Sequence, residues 1–340
     1  GKSDSLTWRI GGSYSRSDGI TAFAAGNEPD GYKNTSVSGR LSYAISDAVS
    51  VDLRSIYAHG DVQFDSFNAD ALNRGESESW LNYAGLNVKL GDNLNNRIAY
   101  SRTDISRTNF DESAARARQP VTFDAKGETD RFEYQGTLDI TPGYFAVFGI
   151  EHIANSMRTA SPTLANAKPA PAIGKDHTTG LYAQLTGEVV TGLTLSAGLR
   201  REEHSTFGQS TVGSLSAAWS LFDGNTVLRA SWAEGFKAPS LYQLYSQYGN
   251  TALAPEKAES WDAGIEQRIA GIVTLSAAYF NRDAVNLINF ANCSGTASHP
   301  LCADGRIGYY SNVGRVKTHG VELGANVLLG SFSVSANYTY

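Results

Sequence analysis

The sequence predicts an all-β chain, a transmembrane antiparallel β-barrel. Apolar residues recur at every second position in one segment after another, with polar residues between them. The segments are joined alternately by tight turns and by long polar loops, the asymmetry of an outer-membrane barrel. The longest unbroken apolar stretch, Tyr144 to Ile150 (YFAVFGI), falls far short of the ~20 residues that a membrane helix needs.

The alternation justifies each strand in turn. Leu6, Trp8, Ile10, Gly12 and Tyr14 form one stripe. Val37, Gly39, Leu41, Tyr43 and Ile45 form the next, with Ser38, Arg40 and Ser42 opposite. Val49, Val51 and Leu53 follow a short Ser-Asp turn; then come Trp80 to Leu90 and Ile98 to Tyr100. Leu181 to Val189, Leu193 to Leu199 and Leu215 to Leu221 repeat the pattern. Leu228, Ala230 and Trp232 lead into a polar region, and Trp261, Ala263 and Ile265 lead out of it. Val273 to Tyr279, Val321 to Leu329 and Phe332 to Tyr340 close the series, about fifteen strands by this period. The best helical signal, Asp111 to Gln119, lies in a polar loop.

Short turns are expected at 45–48, 91–93, 141–143, 190–192, 223–225, 270–271 and 330. Long loops are expected at 17–31, 59–75, 107–122, 155–175, 203–209, 234–255 and 289–306. Mean hydropathy is −0.28, which a barrel tolerates because every second residue of a strand faces water. The water-facing stripes carry Arg9, Arg40, Arg54, Arg97, Arg131, Glu133, Glu188, Arg200, Arg229, Asp262, Glu266 and Glu322. Charges at mid-strand are costly against lipid, so these point into a lumen that is either solvated or occupied by another polar domain. Trp and Tyr gather near strand ends, as interfacial girdles do, although both residues also favour strands for their own sake.

The net charge of −6, with both signs interspersed, argues against a nucleic-acid partner. The opening GKSDSLTWRI lacks the basic start and apolar core of a signal peptide, and both ends fall at or near strands. The chain therefore reads as part of a longer barrel. Cys293 and Cys302 flank a Ser-, Gly- and Pro-containing loop, where a disulfide fits an oxidising compartment. A metal site with His299 is the alternative, short of a full ligand set.

Three segments resemble a known family. GFKAPSLYQLY (235–245), LAPEKAESWDAG (253–264) and NVGRVKTHGVEL (312–323) are similar to strand ends and starts of the TonB-dependent outer-membrane receptors, closest to the cobalamin type. The early segments GSYSRSDGITAF and GNEPDGYKNTSVSGRLSY resemble the first barrel strands of that family. The resemblance implies a location in the bacterial outer membrane and a barrel of about 22 strands filled by a plug. Residues 1–340 would span about its second to sixteenth strand, without plug domain, TonB box or closing C-terminal strands. It further implies uptake of cobalamin, or alternatively of a ferric siderophore or haem, energised through TonB, with the chain's own plug, TonB and outer-membrane lipid as partners.

Candidate site residues lie in the long loops. Tyr242, Tyr245, Tyr248 and Asn250 offer rings and hydroxyls to a bulky ligand, or else pack the loop on the rim. Asp61, Asp65, Asn68 and Asp70 offer hard oxygens. They are solvated acids or a calcium site of the kind that orders loops in cobalamin-type receptors; no other cofactor is required. The six histidines are scattered, with no His-x-x-x-His pair, G-x-S-x-G or phosphate loop, so no enzyme is expected. A passive porin or an outer-membrane hydrolase remain the readings of another class.

Overall fold

Fifteen strands hydrogen-bond in one antiparallel sheet, in sequence order, in a computed structural model that describes all residues except 22, 25, 27, 67, 68, 294–298 and 304. The strands are β1 (Leu6–Ser17), β2 (Tyr32–Ala44), β3 (Val49–Ser66), β4 (Ala69–Leu90), β5 (Leu94–Asp111), β6 (Val121–Thr141), β7 (Tyr144–Ala160), β8 (Ala172–Val190) and β9 (Leu193–His204). They continue as β10 (Gly208–Leu221), β11 (Thr226–Lys237), β12 (Glu256–Ile269) and β13 (Val273–Val285), then β16 (Arg315–Leu329) and β17 (Phe332–Thr339). A separate hairpin, β14 (Ile288–Asn292) with β15 (Gly308–Asn312), interrupts the connection from β13 to β16. A short helix, α1 (Leu241–Tyr245), lies between β11 and β12.

The alternation sorts the two faces as expected. Trp8, Ile10, Leu41, Leu53, Phe132, Ile150, Leu181 and Leu199 expose their side chains on one face, which suits lipid. The intervening residues carry the charges. Tight turns close one end of the sheet; Ala270 and Gly271, at φ 53° and 65°, supply the left-handed backbone that a twisted hairpin requires.

The other end differs from expectation in one respect. The described residues of 59–75 are strand, not loop, and in 107–122 and 155–175 the strands run on into the expected loops, which narrow to 112–120 and 161–171. Asp61 pairs across to Glu76, Thr108 to Asp124 and Asn155 to Asp176. Beyond the lipid both faces are wet, so the apolar alternation fades while backbone pairing continues. Over Asp111 to Gln119 only a 3₁₀ turn forms, at Ala114–Arg116.

The charged stripes meet as ion pairs across strands. Glu133 on β6 stands directly opposite Glu151 on β7, an arrangement that repels by itself. Arginines offset it: Arg97 and Arg131 both reach Glu133, while Arg131 and Arg200 both reach Glu151. Arg200 also bonds Glu202, 2.5 Å away. Arg200 belongs to β9 and Glu151 to β7, so the guanidinium crosses β8. It passes over Gly180, where a Cβ would lie 2.6 Å from Arg200 Nη2. Gly180 keeps that path open.

Gly180→Val is expected to drive Arg200 off Glu151 and cost about 1.5–3 kcal/mol, the value of a hydrogen bond to a charged group. Arg200→Gln should cost about as much, and the double variant no more than either alone. Urea unfolding of the detergent-solubilised protein measures all three; additive losses would show that Gly180 serves some other purpose.

Candidate functional site

The GFKAPSLYQLY segment builds the roof of the barrel mouth. Pro239 is fully buried and Ser240 caps α1. Ser240 Oγ accepts from Gln243 N at 3.2 Å, and Gln243 Oε1 accepts from Ser240 N at 2.9 Å, a reciprocal cap that fixes so short a helix. The buried Leu241 and Leu244 anchor it. α1 contacts β8 and β7, although β9 and β10 lie between these strands and β11. The approach is made at Gly174 on β8, where a Cβ would stand 2.6 Å from the Tyr245 ring. Such a contact requires the sheet to curl toward its charged face, which makes that face the lumen.

Beyond the helix, the loop is tied to the β14–β15 hairpin. Asn312 Oδ1 accepts from Ala254 N at 2.8 Å, and its Nδ2 donates to the carbonyls of Ala254 and Asn286 at 3.0 and 2.6 Å. Asn250 Nδ2 donates to Tyr310 O at 2.9 Å, and its Oδ1 accepts from Ala252 N. Glu256 Oε1 accepts from Ile288 N. The LAPE and NVG motifs are thus the two halves of one joint. Asn250, expected as a ligand contact, holds this joint instead.

Tyr242 and Tyr248 point the other way, into an aromatic cluster. Tyr242 meets Phe123 of β6 edge-on at 6.3 Å and Tyr310 of the hairpin at the same distance. Tyr310 packs on Phe290 at 5.6 Å, and Phe290 on Tyr248 at 5.4 Å. Burial, then the neighbouring phenols, push the Tyr242 hydroxyl above the ordinary tyrosine range, and burial does the same at Tyr310. Arg107 on β5 shares the lumenal stripe of Arg97 and acts electrostatically on Tyr242. Tyr245 is not part of this group; it seats α1 on Gly174. Phe123, Phe290 and Tyr310 were not singled out from sequence, because each lies in a different segment and reads as ordinary strand aromatic.

The acidic residues divide. Asp61 faces outward on β3 and is held by Arg74 at 2.8 Å, which also binds Glu76 and Glu112. It takes no part in the group formed by Asp65, Asp70 and Glu28, whose oxygens lie within 4.8 Å of one another. Asn68 falls outside the described residues. Glu28 comes from the β1–β2 loop, too distant in sequence for the Asp-rich segment to reveal it. One oxygen each of Glu28 and Asp65 is buried without a hydrogen bond among the described residues. Burial, then Asp30, Asp70 and Asp65, raise the Glu28 carboxyl above its usual range. Two ligands at calcium–oxygen distances of 2.3–2.6 Å stand at most about 5 Å apart, so the donor set fits a hard cation.

Cys293 and Cys302 form a disulfide, with Cα atoms 5.6 Å apart. Both sulfurs are consumed, and His299 stacks on Tyr309 at 4.4 Å, so the alternative of a metal site with His299 does not arise.

A strand-spanned wall with a charged lumenal face and loops folded over one end defines the wall of a transmembrane β-barrel. The chain belongs to the TonB-dependent receptor-like β-barrel family, whose model matches residues 2–340. Among solved structures it resembles the siderophore receptor PirA from Pseudomonas aeruginosa, with 22% identity and TM-score 0.75 over 100% of this chain and 60% of that one. It also resembles a variant of the ferric enterobactin receptor PfeA from the same organism, with 18% identity and TM-score 0.79 over 99% of this chain and 57% of that one. The hemophore receptor HasR of Serratia marcescens shares 15% identity, TM-score 0.75, over 100% of this chain and 59% of that one. The chain thus spans about three fifths of the length of these relatives. Family membership places it in the bacterial outer membrane.

Asn312→Ala removes three hydrogen bonds and is expected to lower the local stability of the joint by about 2–3 kcal/mol. Amide exchange at 253–256 and 308–313 should then quicken about 30- to 150-fold while β3 to β7 stay protected. Unchanged exchange at both segments would show that the joint does not depend on Asn312.

Proposed function

We propose that this chain forms the wall and mouth of a receptor that captures a ferric siderophore and passes it across the outer membrane in a TonB-energised step, with a plug domain filling the lumen. The observation that carries the ligand class is the aromatic cluster of Tyr242, Tyr248, Tyr310, Phe123 and Phe290 at the mouth. Rings with hydroxyl edges suit a large, partly aromatic metal chelate. The solved relatives named for siderophores support the same reading, and the hemophore receptor makes haem the neighbouring possibility. Mixed-sign charges on the lumenal stripes support a polar occupant of the lumen.

Cobalamin is the second reading. Its support is the original sequence resemblance together with the Glu28, Asp65 and Asp70 group, which we propose binds calcium and ties the β1–β2 loop to the β3–β4 hairpin. Three mutually repelling carboxylates gain most from such an ion.

Binding of a ferric siderophore, haem and cyanocobalamin to the intact receptor, each with and without a calcium chelator, tests these readings. Siderophore binding that weakens about tenfold or more in Tyr242→Ala and in Tyr310→Ala is expected, the loss typical of a central aromatic contact. Cobalamin binding alone, abolished by chelator and by Asp65→Asn with Asp70→Asn, would replace the siderophore assignment. A chelator without effect on any ligand or on loop protection would remove calcium from the account.

A further inference from the structure

We propose that His152 and His177 form a binding site for a divalent transition-metal ion of the zinc and copper class on the outer face of the wall. The site is separate from the mouth and does not depend on which ligand the mouth takes.

Strand register places the two imidazoles together. His152 on β7 stands opposite Thr179 on β8, and His177 on β8 opposite Ala154 on β7. The histidines are thus diagonal neighbours across one antiparallel pair, with backbones about 7–8 Å apart, a gap that long side chains bridge. They share a face because Glu151 and Gly180 point to the lumen, where Arg200 meets both. His152 directly follows Glu151, and His177 is an odd number of residues from Gly180, so both point outward. Both are exposed. A pair made across strands leaves no linear motif.

The spacing of the rings suits one ion. Their centres stand 5.7 Å apart. A zinc ion about 2.0–2.1 Å from an imidazole nitrogen lies about 3.2 Å from the ring centre, and tetrahedral coordination then sets two ring centres about 5.2 Å apart. The pair has only to close by about 0.5 Å, and the broad χ2 range of histidine lets each ring turn a nitrogen toward a common point.

Thr179 supplies the support that a metal-bound imidazole needs. His152 Nδ1 lies 2.9 Å from Thr179 Oγ1. With its proton on Nδ1 donated to that hydroxyl, the ring is held and Nε2 keeps its lone pair for a metal. The His177 ring makes no hydrogen bond among the described residues, so its nitrogens are not engaged elsewhere. Other histidines are placed differently. His204 is buried and accepts at Nδ1 from Thr206 N at 3.0 Å. His299 accepts at Nδ1 from Leu301 N at 3.2 Å and stacks on Tyr309. His59 faces a carboxylate, Glu78, at 3.5 Å. Among the described residues, two imidazoles meet only at His152 and His177.

The surrounding donors select the metal. Glu128, Asp130 and Lys175 line the same surface cleft. Asp130 is engaged by Tyr100 Oη at 2.6 Å and by Arg102, and Glu128 by Lys126 and Arg102. These carboxylates are already balanced, and Lys175 adds positive charge. A hard cation that relies on charge gains little here, whereas imidazole nitrogens hold a borderline one. The remaining coordination positions stay open to water. Ile150 and Leu181, paired with each other and exposed on the lipid face, flank the histidines on the side of the tight turns. The site therefore sits where the lipid-facing band gives way to water, within reach of ions outside the cell.

The test is calorimetric titration of the intact, chelator-stripped receptor with zinc, in excess calcium to fill hard carboxylate sites. His152→Gln and His177→Gln should each weaken zinc binding about tenfold or more, and Thr179→Val about tenfold, the loss usual for a group that orients a metal ligand. Copper in place of zinc should show nitrogen hyperfine coupling from two imidazoles by electron paramagnetic resonance, and from one in either histidine variant. Circular dichroism checks that each variant keeps its strands. Zinc binding that neither histidine variant changes would place the metal elsewhere and overturn the proposal. Loss in one variant alone would also overturn it, because the imidazoles would not share an ion. So would the absence of binding up to millimolar zinc.

Discussion

Inside a bilayer no water is at hand to satisfy a backbone N–H or C=O, so each must find its partner within the protein. Everything else in this chain follows from that requirement. It imposes the unbroken antiparallel ladder from β1 to β17, and the ladder imposes strict alternation. A lipid-facing stripe must then be apolar, and all polar chemistry is forced onto the other stripe. The lumen is crowded with arginines and carboxylates because there is nowhere else in the span for them to go.

Crowding creates its own constraint. Charges on neighbouring strands sit at fixed spacing, and the sheet cannot shift to relieve a clash without losing its register. The wall answers with long arginines that reach diagonally past their immediate neighbours, and with a glycine where such an arm must cross a strand. Above the lipid the same logic relaxes. The strands remain paired, but their side chains are free to serve the mouth. The loops there are fixed by a few local devices: a capped single-turn helix, a buried proline, and an asparagine shared between two connections.

Much of this was legible in sequence, for physical reasons. Alternation and turn spacing reveal strand number and the sorting of loops because lipid and water act on every residue of a span. The joint between Ala254 and Asn312 was visible only as motif spelling, since the hydrogen bonds that explain it connect residues 58 apart. The upper strands were misread as loops because water on both faces erases the period. Site composition was partly readable: Tyr242 and Tyr248 face the cluster, whereas Tyr245 and Asn250 support the loop. Glu28, Phe123 and Phe290 were beyond reach, because proximity through a curled sheet leaves no trace in local spacing. The cobalamin preference came from motif likeness, and the solved relatives lean toward siderophores.

The strands are of unequal height. β4 has 22 residues and β9 has 12, a difference of ten, or about 33 Å of extended chain. The tall part of the wall is β3 to β8, the strands on either side of it are all shorter, and α1 leans from the low side against the taller β8. A rim stepped in this way lets the loop after β11 lean on β7 and β8 and not on its immediate neighbours, so the mouth is braced across two intervening strands.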